Sequence, residues 1–269
     1  IRLKKEANMK SIESFDNPKY KLAISLMQSK YRKKNQMFLA EGLRNVELAV
    51  DNPKTINLIF IQEDRINEPR YSNIIKNMVD KSFVVPSKLM ETISDTVTSQ
   101  GIVAICNFES FMIDDIDFNN DVLILDKIQD PGNLGTILRT ADAAGISTVI
   151  CTKGTTDIYS PKVIRSAMGS LMHLKILFID DYESLNILKK NGYKIISSSL
   201  ENALDYNVLS TIQSKIAIVL GNEANGIDNK LLNLSDLKVK IPLYGAAESL
   251  NVGIAGGILM YKLKERTLF

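Results

Sequence analysis

An α/β fold is predicted by three observations on the 269-residue chain. Apolar runs of strand length alternate with segments of helical period in both halves. One stretch reads as a complete βαβ unit: Val122-Leu123-Ile124-Leu125, then D-P-G-N-L-G-T-I-L-R-T-A-D-A-A-G from Asp130 to Gly145, then Thr148-Val149-Ile150-Cys151. Finally, three loops rich in Gly and Asn each follow the carboxyl end of a predicted strand, which is where open α/β sheets bind ligands.

In chain order, Ile1–Asn8 reads as a leader before Met9-Lys10. A helix is expected over Lys19–Gln28 after the turn at Asn17-Pro18. Met37–Ala40 is a short strand, Glu41–Val50 a helix, Ile56–Gln62 a strand and Tyr71–Val79 a helix. Phe83–Val85 is a strand stopped at Pro86, followed by a helix over Ser87–Ile93 and a strand over Ile102–Asn107. These make a small α/β domain, residues 1–107. Residues 108–120, acidic and without a period, read as a linker, and 121–269 form the second domain.

Within the second domain the opening unit sets the pattern. Asn133 is the expected N-cap; Leu134, Ile137, Leu138 and Ala141 form one buried face, and Gly145 ends the helix in a left-handed conformation. Thr136, Arg139 and Thr140 are left on the opposite side. A helix at Pro161–Ser170, a strand at Leu174–Phe178, a helix at Tyr182–Lys190 and a strand at Lys194–Ser198 follow. Strand Ile216–Leu220 runs into a turn, Gly221–Gly226. A last strand ends at Ile241-Pro242, and a terminal helix is capped near Glu248 or Ser249. Gly253, Gly256 and Gly257 lie inside that helix, each costing about 1 kcal/mol relative to Ala; another helix, a threaded loop or a ligand must approach the bare backbone there.

Composition narrows the function. With 45% hydrophobic and 24% charged residues the chain is of ordinary globular type. No apolar run reaches the length of a membrane span and no secretory signal pattern opens it, so a cytoplasmic location is expected. Cys106 and Cys151 read as buried reduced thiols, and a single histidine argues against zinc. That histidine, His173, begins an apolar segment and makes a poor candidate for Ser-His-Asp chemistry. No G-x-G-x-x-G and no P-loop is present. Residues up to Asn107 carry 17 Lys and Arg against 12 Asp and Glu, and the remainder 16 against 19. The densest basic cluster, Lys30, Arg32, Lys33 and Lys34 beside Tyr20 and Tyr31, suits either a solvated surface or an RNA contact.

Three stretches carry a family resemblance. D-P-G-N-L-G-T-I-L-R-T-A-D-A-A-G, L-G-N-E-A-N-G-I and I-P-L-Y-G-A-A-E-S-L-N-V-G-I-A-G-G-I resemble, in this order, the three motifs of the SpoU (TrmH-like) family of SPOUT RNA 2′-O-ribose methyltransferases. Y-R-K-K-N-Q-M-F-L-A-E-G, Tyr31 to Gly42, is similar to the opening of the L30e-like substrate-binding domain that many of these enzymes carry in front. The resemblance implies a C-terminal SPOUT domain with a parallel sheet and a deep C-terminal trefoil knot. It also implies S-adenosyl-L-methionine as cofactor, no metal, and a homodimer through the knotted domain.

By the same resemblance Arg139 holds and activates the 2′-oxygen, Asn133 orders the arginine and substrate, and Glu223, Ser249 and Asn251 are the polar residues of motifs two and three. The cofactor is expected against Leu220, Gly221, Asn222, Ile241, Leu250 and Asn251. RNA is expected on Arg32, Lys33, Lys34 and Arg165. The bland alternatives are N-caps for Asn133 and Ser249 and a turn salt bridge for Glu223. Asp130 stands where Asn is commoner before the Pro, and Gly253 where Ser often follows S-L-N-V. The expected substrate is 23S (large-subunit) rRNA; a tRNA 2′-O-methyltransferase, or an inactive RNA-binding or ribosome-assembly protein of the same fold, is the alternative.

Overall fold

The computed structural model describes residues 9–96 and 98–266; the expected leader, Ile1–Asn8, lies outside the described residues. The first elements are β1 (Lys10–Ser11), α1 (Pro18–Leu26), α2 (Ser29–Asn35), β2 (Met37–Glu41), α3 (Leu43–Asp51), β3 (Ile56–Gln62) and α4 (Pro69–Asn77). Next come β4 (Ser82–Val85), α5 (Ser87–Ile93), β5 (Ile102–Asn107), β6 (Val122–Leu125), α6 (Pro131–Ala143), β7 (Thr148–Thr152) and α7 (Pro161–Ala167). The remainder is β8 (Lys175–Ile179), α8 (Asn186–Lys190), β9 (Tyr193–Ser198), β10 (Leu204–Asp205), β11 (Lys215–Leu220), α9 (Asn229–Leu234), β12 (Leu237–Lys240) and α10 (Val252–Glu265).

Contacts divide the chain into two compact units. Of the described residues, one holds those up to Glu109 together with Asp157–Met172; the other holds Ser110–Thr156 and those from His173 to Arg266. The segment Asp157–Met172, read from sequence as part of the second domain, thus groups with the first unit. There α7 packs against β2.

The first unit is built on a mixed sheet of order β1-β4-β3-β5-β2, in which β5 runs antiparallel to both neighbours. Its core gathers Tyr20, Leu26, Phe60, Met90 and Ile105, all but closed to solvent. Helix α2 bears no apolar periodicity, so sequence pattern passes over it; Gln36, in left-handed conformation at φ 54°, ends it.

The second unit is built on a seven-stranded sheet, β10-β12-β9-β11-β6-β7-β8, in which every pairing is parallel. Buried on both faces, β6 and β11 read as unbroken apolar runs, as central parallel strands do. From β6 the chain winds outward to β7 and β8, then returns to the other side of β11 to place β9. The order therefore reverses around β6 and β11, and the loops leaving their carboxyl ends open into a crevice at the switch point.

Two caps differ from the sequence expectation. Pro131, lacking an N–H, sits at the first turn of α6, and the Asp130 carboxylate caps the helix by accepting from the Asn133 amide at 2.7 Å. Asn133 is therefore inside the helix and its side chain is free for other work. Likewise α10 is capped by Asn251, whose Oδ1 accepts from Gly253 N (2.9 Å) and Ile254 N (3.3 Å), and not by Glu248 or Ser249. Gly145 ends α6 at φ +69° as expected.

The helical glycines are explained by helix packing. α10 lies against α6: a Cβ on Gly253 would stand 3.3 Å from Thr136 Cγ2, and one on Gly257 3.6 Å from Thr140 Cγ2. At Gly256 it would fall 2.6 Å from Leu220 Cδ1. Of the neighbours the glycines admit, a helix and the end of β11 are the ones found.

Candidate functional site

Three loops close around one cleft in the second unit. A cavity of about 960 Å³, within the roughly 300–1,000 Å³ usual for small-ligand sites, is lined by residues after β9, β11 and β12 and at the start of α10. Each expected cofactor residue, Leu220, Gly221, Asn222, Ile241, Leu250 and Asn251, lies on its wall, as do Asn133, Glu223 and Ser249. Arg139 does not line it. Six residues beyond Asn133, hence about 9 Å along the helix axis, Arg139 stands exposed on α6 with no bonded side chain among the described residues.

A chain of side-chain hydrogen bonds ties the loops together. Asn133 Nδ2 donates to Glu223 Oε1 at 3.1 Å, and Asn251 Nδ2 donates to Asn133 Oδ1 at 2.9 Å. Glu223 also accepts from the backbone amides of Gln129 and Asp130, both at 3.3 Å. Burial pushes the Glu223 carboxyl up, but donation from Asn133 and the backbone amides outweighs it and holds the group below its ordinary value. The turn that presents Glu223 is pinned by Asn222. Its backbone pairs with Gly226 in both directions, its Oδ1 accepts from Ala224 N and Asn225 N, and its Nδ2 donates to Lys127 O at 2.8 Å. Gly221 admits no side chain: a Cβ there would fall 2.5 Å from the Gly226 backbone.

The donor set fits S-adenosylmethionine. Leu220, Ile241, Leu243, Leu250 and Leu259 offer an apolar bed for an adenine, and the glycine-bearing turns leave backbone exposed for polar recognition. Glu201, Glu223 and Glu248 outnumber Lys240 on the wall, a negative balance that suits a sulfonium cation. Among the described residues no group of three or more His, Cys, Asp and Glu could hold a metal ion, and no helix is long and apolar enough to cross a membrane. Cys106 and Cys151 are buried free thiols pushed up to about 12 by burial. His173 is exposed, its Nδ1 3.1 Å from Asp142 Oδ2 and away from the cleft wall.

The expected RNA contacts, all in the first unit, fare differently. Lys33 and Lys34 are exposed on α2. Arg32 is not: only 4% exposed, it donates to Asp157 Oδ2 at 2.6 Å and to the carbonyls of Leu26 and Met27. With four of its five N–H donors bonded inside the protein and the side chain buried, Arg32 leaves the surface set. Arg165 is half-buried, bonded to Asp95 and 4.0 Å from Glu41.

A parallel α/β unit with a cofactor-sized, acid-lined cleft at its switch point and a polar network joining three loops is the arrangement of a cofactor-dependent group-transfer enzyme. The SpoU rRNA Methylase family matches residues 120–261, and the MRM3-like substrate binding domain matches residues 17–104. A 23S rRNA (guanosine(2553)-2′-O)-methyltransferase, RlmP of Bacillus subtilis (strain 168), is 36% identical over 256 residues, 95% of this chain and 100% of that protein. A putative TrmH family tRNA/rRNA methyltransferase of Staphylococcus aureus (strain MSSA476) is 31% identical over 234 residues, 82% of this chain and 93% of that protein. The crystal structure of an AdoMet-bound rRNA methyltransferase from Sinorhizobium meliloti superposes with a TM-score of 0.86 at 30% identity, covering 97% of this chain and 99% of that one.

The chain belongs to the SpoU/TrmH family of SPOUT RNA 2′-O-ribose methyltransferases and carries an N-terminal substrate-binding domain. Its all-parallel second sheet is the one typical of the SPOUT knot fold, and its activity is S-adenosylmethionine-dependent ribose methylation of RNA.

Proposed function

We propose that the chain methylates a ribose 2′-hydroxyl of 23S (large-subunit) ribosomal RNA in the cytoplasm, as a homodimer joined through a knotted C-terminal domain. The observation that carries the substrate is the end-to-end similarity to a 23S rRNA methyltransferase, 36% identical over 95% of this chain, in both the cleft-bearing and the substrate-binding parts. S-adenosylmethionine, held against Leu220, Gly221, Asn222, Ile241, Leu250 and Asn251, supplies an electrophilic methyl group. The residues of this chain supply position and field. Asn133, fixed between Glu223 and Asn251, presents the substrate ribose to the cleft. Glu223 is already occupied by three donors, so its role is to hold Asn133 and the turn, not to take the proton. Ser249, exposed on the rim, offers a hydroxyl to the incoming nucleotide.

Arg139 acts as a permanent cation that stabilises the developing 2′-oxyanion, since a guanidinium does not give up its proton in proteins, and the 2′-hydroxyl proton passes to solvent water as the methyl group leaves sulfur for oxygen. Its place outside its own cleft is the reason for including a second copy. α10, packed beside α6, presents Ile254 and Tyr261 to solvent, each more than half exposed, and a partner docked on that side brings its own arginine toward the cleft. Lys33 and Lys34 on α2 are assigned to the RNA backbone, with Arg165 available once its pairing with Asp95 is exchanged for phosphate. The test compares alkali-resistant 2′-O-methylated dinucleotides in ribosomal and transfer RNA from strains with and without the gene. Loss of one methyl from large-subunit rRNA is expected; loss from tRNA alone refutes the substrate.

A further inference from the structure

Directly beneath the network lies a carboxylate that none of the three motifs includes. Asp126, the residue after β6, is 0% exposed. Burying a carboxylate is costly unless its oxygens are met by donors, and here they come from separate segments. Oδ1 accepts from Thr152 Oγ1 at the end of β7 (2.8 Å) and from Tyr182 Oη ahead of α8 (3.0 Å); Oδ2 accepts from Asp228 N, just past the Gly221–Gly226 turn (2.8 Å). The Asp126 amide donates in turn to Leu220 O at the end of β11 (2.8 Å). One side chain therefore fastens the exits of β6, β7 and β11 to the segment that follows β8. Lys127, the next residue, is paired with Asp228 at 2.6 Å and is in left-handed conformation at φ 56°. That conformation turns the Lys127 carbonyl toward Asn222 Nδ2, and Asn222 shapes the turn that carries Glu223.

We propose that Asp126 is a positioning residue for methyl transfer: its buried carboxylate fixes the loops after β6 and β11 against each other, and so sets the placement of Glu223 and Asn133. The proposal rests on the methyltransferase reading above. A core serving stability alone has no need of an anion here; a carboxylate is the side chain whose two oxygens can take three donors converging from three segments. Burial, followed by the hydrogen bond to Asp126, pushes the Tyr182 hydroxyl up to about 12, so it remains a donor at working pH.

The experiment is a double-mutant cycle between Asp126→Asn and Glu223→Gln, read by single-turnover methyl transfer to ribosomal RNA and by calorimetry with S-adenosylmethionine. In Asp126→Asn the carboxamide oxygen keeps Asp228 N while its nitrogen turns to Thr152 Oγ1 and Tyr182 Oη, so the two hydroxyls must accept where they donated, Thr152 Oγ1 while already accepting from Lys127 N, and the bonds that drew the segments together are weakened. A loss of rate of about 10- to 100-fold is expected, with the KM for RNA within about two-fold of wild type. In the Glu223→Gln background the same substitution is expected to cost under about three-fold, because the turn is already uncoupled. Losses that multiply independently, or a wild-type rate in Asp126→Asn, overturn the proposal. Should Asp126→Asn fail to fold, Tyr182→Phe removes a single donor and carries the same test, and losses that multiply there overturn it equally. A wild-type protein that binds S-adenosylmethionine yet methylates no RNA refutes the functional reading instead. The cofactor affinities then decide: at least a five-fold weakening in Asp126→Asn supports the proposal, and a smaller one overturns it.

Discussion

Asn251 performs two tasks with the two ends of one amide, and substitution can separate them. Its Oδ1 caps α10 through Gly253 N and Ile254 N, while its Nδ2 holds Asn133 at 2.9 Å. Asn251→Ala removes both. Loss of an N-cap costs about 1 kcal/mol, and loss of a neutral side-chain bond at an exposed site adds at most about another. For a unit of this size the melting temperature should fall by about 2–4 °C for each kcal/mol. Freed from Asn251, Asn133 keeps only Glu223 as a side-chain partner, and misplacement of a positioning group by about 1 Å costs roughly 100-fold in rate. Asn251→Ser is the informative variant, because serine caps as well as asparagine but has no amide to reach Asn133. Thermal unfolding followed by circular dichroism, alongside single-turnover methyl transfer, is the assay. The serine variant should regain the roughly 1 kcal/mol that belongs to the cap, leaving at most about 1 kcal/mol for the lost bond to Asn133, and none of the rate. Recovery of rate together with stability refutes the idea that the Asn133–Asn251 bond serves catalysis.

Other outcomes follow from the same geometry. Glu223 has a carboxyl held below its ordinary value of 4.5 by its donors, so its contribution to stability is complete above that pH and is lost as pH falls through the lowered value; denaturant titrations across acid pH should show this limb in wild type and lack it in Glu223→Gln. Arg32→Ala should destabilise the first unit by about 3 kcal/mol by leaving Asp157 without its buried partner. Lys33→Ala with Lys34→Ala should instead leave stability unchanged and reduce the salt dependence of RNA binding; filter binding over a salt series, together with unfolding curves, separates the two cases. Cys106 and Cys151, buried and pushed up to about 12, should resist thiol reagents at pH 8 in the folded protein and react only on unfolding, as a colorimetric thiol titration will show.

Much of the fold was legible because its central strands are buried on both faces. Val122–Leu125 and Ile216–Leu220 have no other reading than core strands, and Ile56–Gln62, Ser87–Ile93 and Ile102–Asn107 fell at the observed boundaries. Elements without an apolar pattern were not legible: α2 is S-K-Y-R-K-K-N, β1 has two residues, and the short α9 falls between the second and third motifs. Caps were misplaced by two or three residues because two good capping side chains stand within one turn of each other. At the start of α6 the choice between Asp130 and Asn133 was made by Pro131, whose ring can open a helix but not precede its cap here. The burial of Arg32 could not be read locally, since its partner Asp157 lies 125 residues away and groups with the first unit through contacts alone. Asp126 was passed over for the same reason: its donors come from β7, from the segment after β8 and from beyond β11, and only the folded sheet brings them together.

Arg139 lies outside the wall of its own cleft, yet carries the assigned chemistry, so it gives the most direct test of the whole account. Purified wild-type and Arg139→Ala proteins, incubated with methyl-labelled S-adenosylmethionine and ribosomal RNA lacking the modification, should differ in one respect only. The wild type should yield an alkali-resistant, labelled dinucleotide and the variant none, with cofactor affinities within about two-fold of each other because Arg139 is assigned to the 2′-oxygen and lies off the wall of its own chain's cofactor cleft. Label on a base in place of the ribose, or equal transfer by the two proteins, would contradict it.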